Sequence, residues 1–183
     1  MNSQPEPELR DALLAAVPSL RAFAISLCGQ VDRADDLVQD TLLRALSHID
    51  RFERGTNLNA WLFTILRNLF HSEYRKRRRE VEDPDGSYAG RLKAQPEQGS
   101  RLDFEDFRTA LAKLPPEQRE ALLLVGASGF SYEEAAHICD CAVGTIKSRV
   151  NRARSRLAAL LAVDDVGDLG PDNMTRAALQ IAS

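Results

Sequence analysis

Apolar residues recur at helical spacing through most of residues 8–80 and again from about residue 104 to residue 161. Between Ala34 and Ile49 the positions Val38, Leu42, Ala45 and Ile49 follow i, i+4, i+7, i+11, which is one buried helix face. Asp32 is placed to cap this helix, with Asp35 and Asp36 in the first turn, where carboxylates meet the positive end of the helix dipole. The segment RFERGTNLN (51–59) interrupts the pattern through Gly55 and a run of polar residues. A second strong helix is predicted over 60–79, with Leu58, Leu62, Ile65, Leu66 and Leu69 as its apolar face.

From residue 80 to 103 no period is sustained, and Pro84, Gly86, Gly90, Pro96 and Gly99 punctuate a polar stretch. So long a structureless connection does not suit the inside of one compact domain, so it reads as a linker. Helical spacing resumes with FEDFRTALAKL. Pro115-Pro116 then ends one helix and opens the next, since proline fits a first helical turn. Gly126 and Gly129 close that helix. Ser131 and Glu134 form an S-x-x-E capping box for a short helix over 132–138. A turn at Cys139-Asp140 and one long helix over 143–161 follow. The tail 162–183, with Asp164, Asp165, Gly167, Gly170 and Pro171, is predicted to be loose. The expected fold is all-α: two small helical domains, 8–80 and 104–161, joined by a flexible linker over 81–103.

Composition agrees with helices. Of 183 residues 44% are hydrophobic, only 6% are aromatic, and 10 are glycine. The net charge of −3 does not itself suggest nucleic acid, but the basic residues gather in two short segments and acids fill the gaps. No apolar run approaches the roughly 18 residues of a membrane span. The N-terminal residues are acidic and lack a signal region, so a cytoplasmic location is expected, and three cysteines suit a reducing compartment. His137-Ile-Cys139-Asp-Cys141 offers three crowded ligands without the second distant pair that a zinc site uses. Phosphate-binding loops, nucleophile elbows and nucleophile–base pairs are missing from the sequence. No enzymatic activity, cofactor, metal or small-molecule substrate is therefore expected.

The segment SYEEAAHICDCAVGTIKSRVNRARSRL has the layout of a helix-turn-helix. In its second helix Ile146, Val150, Ala153 and Leu157 share the face that must be buried. Lys147, Ser148, Asn151 and Arg152 lie together on another face, flanked by Arg149, Arg154 and Arg156. Residues 143–156 hold five basic residues and no acid. Lysine and arginine donate to guanine edges, asparagine pairs with adenine, and the remaining cations take phosphates. Thr145 sits in the first turn, where backbone amides also hold a phosphate.

This segment, extended back through LPPEQREALLLVGASGF, resembles domain 4 of extracytoplasmic-function sigma factors, which are sigma-70-family subunits of RNA polymerase. The wording around GASGFSYEEAA is most similar to their general-stress (EcfG-type) subclass. Two positions depart from the common pattern: Asp140 stands where glycine is frequent, and Ala142 where serine or proline is frequent. The resemblance implies that Lys147, Ser148, Asn151 and Arg152 read a −35 promoter element. In the N-terminal half ADDLVQDTLLRAL (34–46) resembles the polymerase-binding helix of sigma domain 2. Asp36, Gln39, Asp40 and Leu43 share a face there, and the resemblance implies that it binds the clamp helices of the largest polymerase subunit. TNLNAWLFTILRNLFHSEYRKRRR (56–79) resembles the −10 recognition and melting region. Arg67, Asn68, His71 and Arg75 can share a polar stripe there. The resemblance implies that they and Lys76 contact DNA and that the loop 51–59 receives an extruded base. Trp61, the one tryptophan, is expected in the core rather than stacked on DNA.

The resemblance implies several partners: core RNA polymerase at its clamp helices and flap region, promoter DNA, and a small anti-sigma protein. No membrane is implied. The linker would thread toward the polymerase cleft, with Glu82, Asp83 and Asp85 mimicking nucleic acid. Two other readings stay open. A sigma-like decoy would titrate an anti-sigma protein but has no need of the 143–156 cations. A stand-alone helix-turn-helix repressor has no need of the 34–46 helix or the basic run 75–79.

Overall fold

The computed structural model describes residues 7–80 and 100–161, and all regular structure among them is helical. The chain runs through α1 (Pro7–Cys28), α2 (Val31–Ser47), a single tight turn (Ile49–Arg51) and α3 (Leu58–Glu80). It continues through α4 (Ser100–Ala112), α5 (Pro116–Leu122), α6 (Tyr132–Cys139) and α7 (Val143–Leu161). The predicted all-α fold with two helical groups is present. The linker was expected to extend to residue 103, but α4 already begins at Ser100. The rest of it, and the tail 162–183, lie outside the described residues.

The first group is α1, α2 and α3. Contrary to the expectation of no membrane-length apolar segment, Glu8–Cys28 is long and apolar enough to pass for one on composition alone. Its packing explains that apolarity: Leu13, Ala16, Leu20, Phe23, Ala24 and Leu27 are buried in the protein core. Pro18 forfeits a backbone donor inside this helix, on its exposed side. On α2 the buried residues are Ala34, Leu37, Val38, Thr41 and Ala45. The predicted stripe is therefore centred too far toward Leu42 and Ile49, which are only half-buried. Thr41 is tolerated in the core because its hydroxyl donates to the Leu37 carbonyl at 2.7 Å. The cap also differs from expectation. Gln30 occupies the N-cap without a side-chain bond and Asp32 falls inside the first turn. Asp35 lies a turn later, paired with Arg21 of α1 at 2.6 Å. On α3 the fully buried residues are Leu62, Phe63 and Leu66, while Leu58, Ile65 and Leu69 pack partly against the core. Trp61 is half-buried with its ring 5.3 Å from that of Phe52, in keeping with a packing role.

The second group is α4 to α7. Pro115 is the N-cap of α5 and Pro116 its first residue, as predicted. Beyond Leu122 the helix widens into a π-type turn over Leu123–Ala127, closed by Ser128 N–H to Leu123 O at 2.8 Å. Gly126 lies buried inside this turn, so only Gly129 acts as the terminator. Gly129 has φ +73, a backbone conformation that a side chain would strain even though a Cβ there would touch nothing. Asp140, between α6 and α7, takes the left-handed conformation at φ +50, a role that aspartate fills better than most residues other than glycine. The capping box is complete: Glu134 N–H donates to Ser131 Oγ at 3.1 Å and Ser131 N–H to Glu134 Oε2 at 2.9 Å. On α7, Ile146, Val150, Ala153 and Leu157 each have 0% exposure, as their spacing requires.

The two groups share one hydrophobic core rather than standing apart. Phe63 of α3 joins them. Its ring lies 5.0 Å from Phe23 of α1 and 4.9 Å from Phe130, edge-on, ahead of α6. Aromatic pairs in such geometry add about 0.5–1.5 kcal/mol beyond their buried area.

The capping box predicts a measurable effect. Ser131→Ala should destabilise the fold by about 1 kcal/mol, because one orphan amide of α6 loses its acceptor. Urea unfolding followed by circular dichroism should show a lower midpoint with an unchanged slope. A midpoint equal to that of the wild type would mean that the cap contributes nothing.

Candidate nucleic-acid and partner interfaces

Helix α7 turns its four buried residues inward and thereby fixes its outer face. Lys147, Asn151, Arg152 and Arg156 are exposed. Ser148 is half-buried and its hydroxyl donates to the Thr145 carbonyl at 2.9 Å. Thr145 is half-buried in the first turn, where its N–H donates to the Ala142 carbonyl at 2.9 Å. Arg149 is half-buried, with Nη1 3.9 Å from Cys141 Sγ. Arg154 is half-buried with its Nε enclosed and unbonded. Of the four residues that the sequence places together on this face, Lys147, Asn151 and Arg152 thus stand fully outward, with Arg156 exposed beside them. Helix α6 shapes the position of one of them: the Lys147 ammonium lies 5.8 Å from the centre of the Tyr132 ring, within cation–π range.

Helix α2 presents Asp36, Gln39, Asp40 and Leu43 together, all exposed, and Leu43 is 62% exposed. They line a concave surface with Arg33 and with Glu73, Lys76 and Arg77 of α3. Lys76, grouped by the sequence with DNA-contacting residues, therefore borders the acidic face of α2. The surface combines carboxylates, cations and one large apolar side chain, a mixture suited to a protein partner.

The predicted polar stripe of α3 is divided. Asn68 and Arg75 are exposed. Arg67 and His71 instead turn toward Glu120 of α5. The Arg67 Nε donates to Glu120 Oε1 at 2.7 Å, and His71 Nε2 lies 3.4 Å from the same oxygen. Glu120 is only 2% exposed. Burial alone would raise its pKa. The hydrogen bond with His71 and the positive charge of Arg67 outweigh that effect and hold the carboxyl below its ordinary range. A second polar bond joins the groups nearby: Asn57 Nδ2 donates to Glu134 Oε1 at 2.6 Å. Its trace in the sequence is faint: Glu120 stands at the edge of the apolar run ALLLV (121–125), directly after Arg119.

The His137, Cys139 and Cys141 side chains do not assemble a ligand set. His137 is exposed, Cys139 is buried, and burial pushes the Cys139 thiol up to about 12. Among the described residues no three His, Cys, Asp or Glu side chains converge.

Two family descriptions match the chain: Sigma-70 region 2 over residues 14–80, and Sigma-70, region 4 over residues 104–157. The ECF RNA polymerase sigma factor EcfG of Rhodopseudomonas palustris (strain TIE-1) is 74% identical over 171 residues, spanning 93% of this chain and 94% of that protein. Among solved structures, the sigma factor RpoE of Bartonella quintana, in complex with the anti-sigma factor NepR, matches with a TM-score of 0.79 and 57% identity. That match covers 87% of this chain and all of the other. CnrH, in complex with the cytosolic domain of CnrY, matches with a TM-score of 0.59 and 27% identity, over 86% of this chain and 88% of the other.

The buried carboxylate predicts a pH dependence. Its pKa in the folded chain lies below the ordinary value of 4.5. It therefore stabilises the fold in full above that value, and the contribution is lost as pH falls through the lower folded-state value. Glu120→Gln should cost about 3–5 kcal/mol at neutral pH by leaving Arg67 enclosed without a counter-charge. In urea titrations the gap between wild type and variant should be constant at neutral pH and shrink once pH drops below 4.5. A gap independent of pH would show that the ionised carboxylate does not stabilise the fold.

Proposed function

The chain belongs to the sigma-70 family and is an RNA polymerase sigma factor of the extracytoplasmic-function group, and from that footing we propose how its surfaces divide the work of promoter recognition. Helix α7 reads the −35 element with Lys147, Asn151 and Arg152, while Thr145, Ser148, Arg149 and Arg154 support the helix or take phosphates. Helix α3 contacts the −10 element through Asn68, Arg75 and, when released, Arg67 and His71. The α2 face of Asp36, Gln39, Asp40 and Leu43 docks on the polymerase, and Lys76 borders that contact.

The observation that carries this reading is the division of α7. Its four inward residues are fully buried, and Lys147, Asn151 and Arg152 are exposed on the same helix. A recognition helix needs both halves, one to fix its angle and one to enter the major groove. The polymerase supplies the chemistry and this chain supplies the address, so no catalytic group is required. It would act in the cytoplasm. The likeness to EcfG supports stress-response genes as targets, and the NepR complex of the Bartonella relative supports a small anti-sigma partner.

Two substitutions test the division. Lys147→Ala or Arg152→Ala should each cost roughly 1–3 kcal/mol at the −35 element and relax its base preference. Run-off transcription on promoters varied at −35 measures this, and undiminished selectivity would remove α7 from the role of reader. Leu43→Arg places a charge in the apolar part of the α2 face. It should weaken capture by core polymerase in a pull-down while circular dichroism stays unchanged. Normal capture of the folded variant would mean that the polymerase docks elsewhere.

A further inference from the structure

We propose that Cys139 and Cys141 form an oxidation site: a hydroperoxide oxidises Cys141, Cys139 closes a disulfide across the turn of the helix-turn-helix, and the bridged chain reads the −35 element weakly. The loss of reading rests on the role of α7 given above, whereas the sulfur chemistry stands without it.

The backbone brings the two sulfurs within bridging reach. Asp140, the residue between them, is left-handed with φ 50 and ψ 54. Such a residue turns the chain as tightly as a helix does, with the opposite hand. By helical rise and radius the Cα atoms on either side of it lie about 5.4 Å apart. Disulfides span Cα separations of about 4.4–6.8 Å. Both side chains face the same way: Cys139 is buried in the core, and Cys141, half-buried, packs against that core. Burial chiefly pushes the Cys139 thiol up to about 12, and Cys141 is near enough to add to the effect. Cys28 belongs to α1, in the other helix group.

The two thiols suit different steps. Cys141 is the one that solvent reaches, and Arg149 Nη1 lies 3.9 Å from its Sγ. Cys141 Sγ attacks one peroxide oxygen and the O–O bond breaks. The other oxygen takes the thiol proton and leaves as water or an alcohol, with the Arg149 guanidinium placed to donate to it. Cys141 then carries a sulfenic acid, which condenses with a neighbouring thiol. Cys139 Sγ attacks that sulfur, the S–O bond breaks, and the hydroxyl leaves as water with the Cys139 proton. The two sulfurs have together lost two electrons, and the hydroperoxide has gained them.

The bridge acts where α6 hands over to α7. Cys141 N–H donates to the Ala136 carbonyl at 3.0 Å and Asp140 N–H to the His137 carbonyl at 3.2 Å, and these bonds end α6. Helix α7 begins at Val143, two residues after Cys141. A disulfide draws Cys141 Sγ toward α6 and away from Arg149, which stands on α7 beside Lys147 and Ser148. The start of the recognition helix must shift with it. So small a ring is strained, and strained disulfides are readily reduced, so the change reverses under reducing conditions.

The full chain is treated with hydrogen peroxide, freed of it, and alkylated with iodoacetamide. The tryptic peptide 120–147, which holds both cysteines, should be lighter by two hydrogens and carry no alkyl group. The same oxidised chain is then added to core polymerase on templates with an intact or a scrambled −35 element. The advantage of the intact element should shrink about tenfold, the size of one lost base contact, and return after dithiothreitol. Cys141→Ser should keep the advantage with or without peroxide, and Cys28→Ser should behave as the wild type does. If Cys141→Ser does not fold by circular dichroism, Cys141→Ala takes its place. Two alkylated cysteines after peroxide would overturn the site. An unchanged −35 advantage in the bridged chain, or its loss in oxidised Cys141→Ser, would overturn the switch. The mass measurement needs neither DNA nor polymerase. A reduced wild type with no preference for the intact −35 element would instead remove α7 as the reader and the switch with it, while the mass still decides the bridge.

Discussion

Taking a carboxylate out of water costs several kcal/mol unless charge and hydrogen bonds return it. Glu120 is almost entirely buried, and both groups that compensate it, Arg67 and His71, come from α3. That dependence ties the two halves of the molecule together. The Phe63–Phe130 contact adds apolar attraction at the same seam, but aromatic packing tolerates small shifts. An ion pair with a defined hydrogen bond does not, so the polar cluster sets the register in which α3 lies against α5 and α6. The position of the α7 face relative to the α3 face follows from it.

The same seam determines which surfaces are free. The acidic and apolar face of α2 and the cationic face of α7 both point outward. Only α3 gives up part of its polar stripe to the interior. A sigma factor must bind polymerase, two promoter elements and a regulator at different times, and a surface that is covered in one state and open in another is a physical means of ordering those events.

Periodicity placed the helices well because each half carries a strong apolar stripe. The α7 stripe of Ile146, Val150, Ala153 and Leu157, the Ser131–Glu134 box and the paired prolines were all legible, since each is a local signal. The boundaries of α2 were less so. Gln30 is a weak cap by type, and Asp32 lies close enough to pass for one. Ala34 and Thr41 on the inner face of α2 give no strong apolar signal, because they are buried by close helix packing rather than by hydrophobicity. The association of Arg67 and His71 with Glu120 was not legible at all. The residues are about fifty positions apart in sequence, and no pattern on either helix names its partner. Helical geometry placed Arg67 beside Asn68 on a polar stripe, but it could not tell that a second helix group would cover part of that stripe.

Initiation at a promoter is the central property of this chain, and run-off transcription tests it most directly. The wild-type protein, added to sigma-free core RNA polymerase and a library of promoter fragments, should yield discrete transcripts from templates that share a −35 and a −10 motif. Core enzyme alone should yield none of them. If addition of the folded chain produces no promoter-specific transcript from any template, it is not a sigma factor in action, whatever its likeness to one.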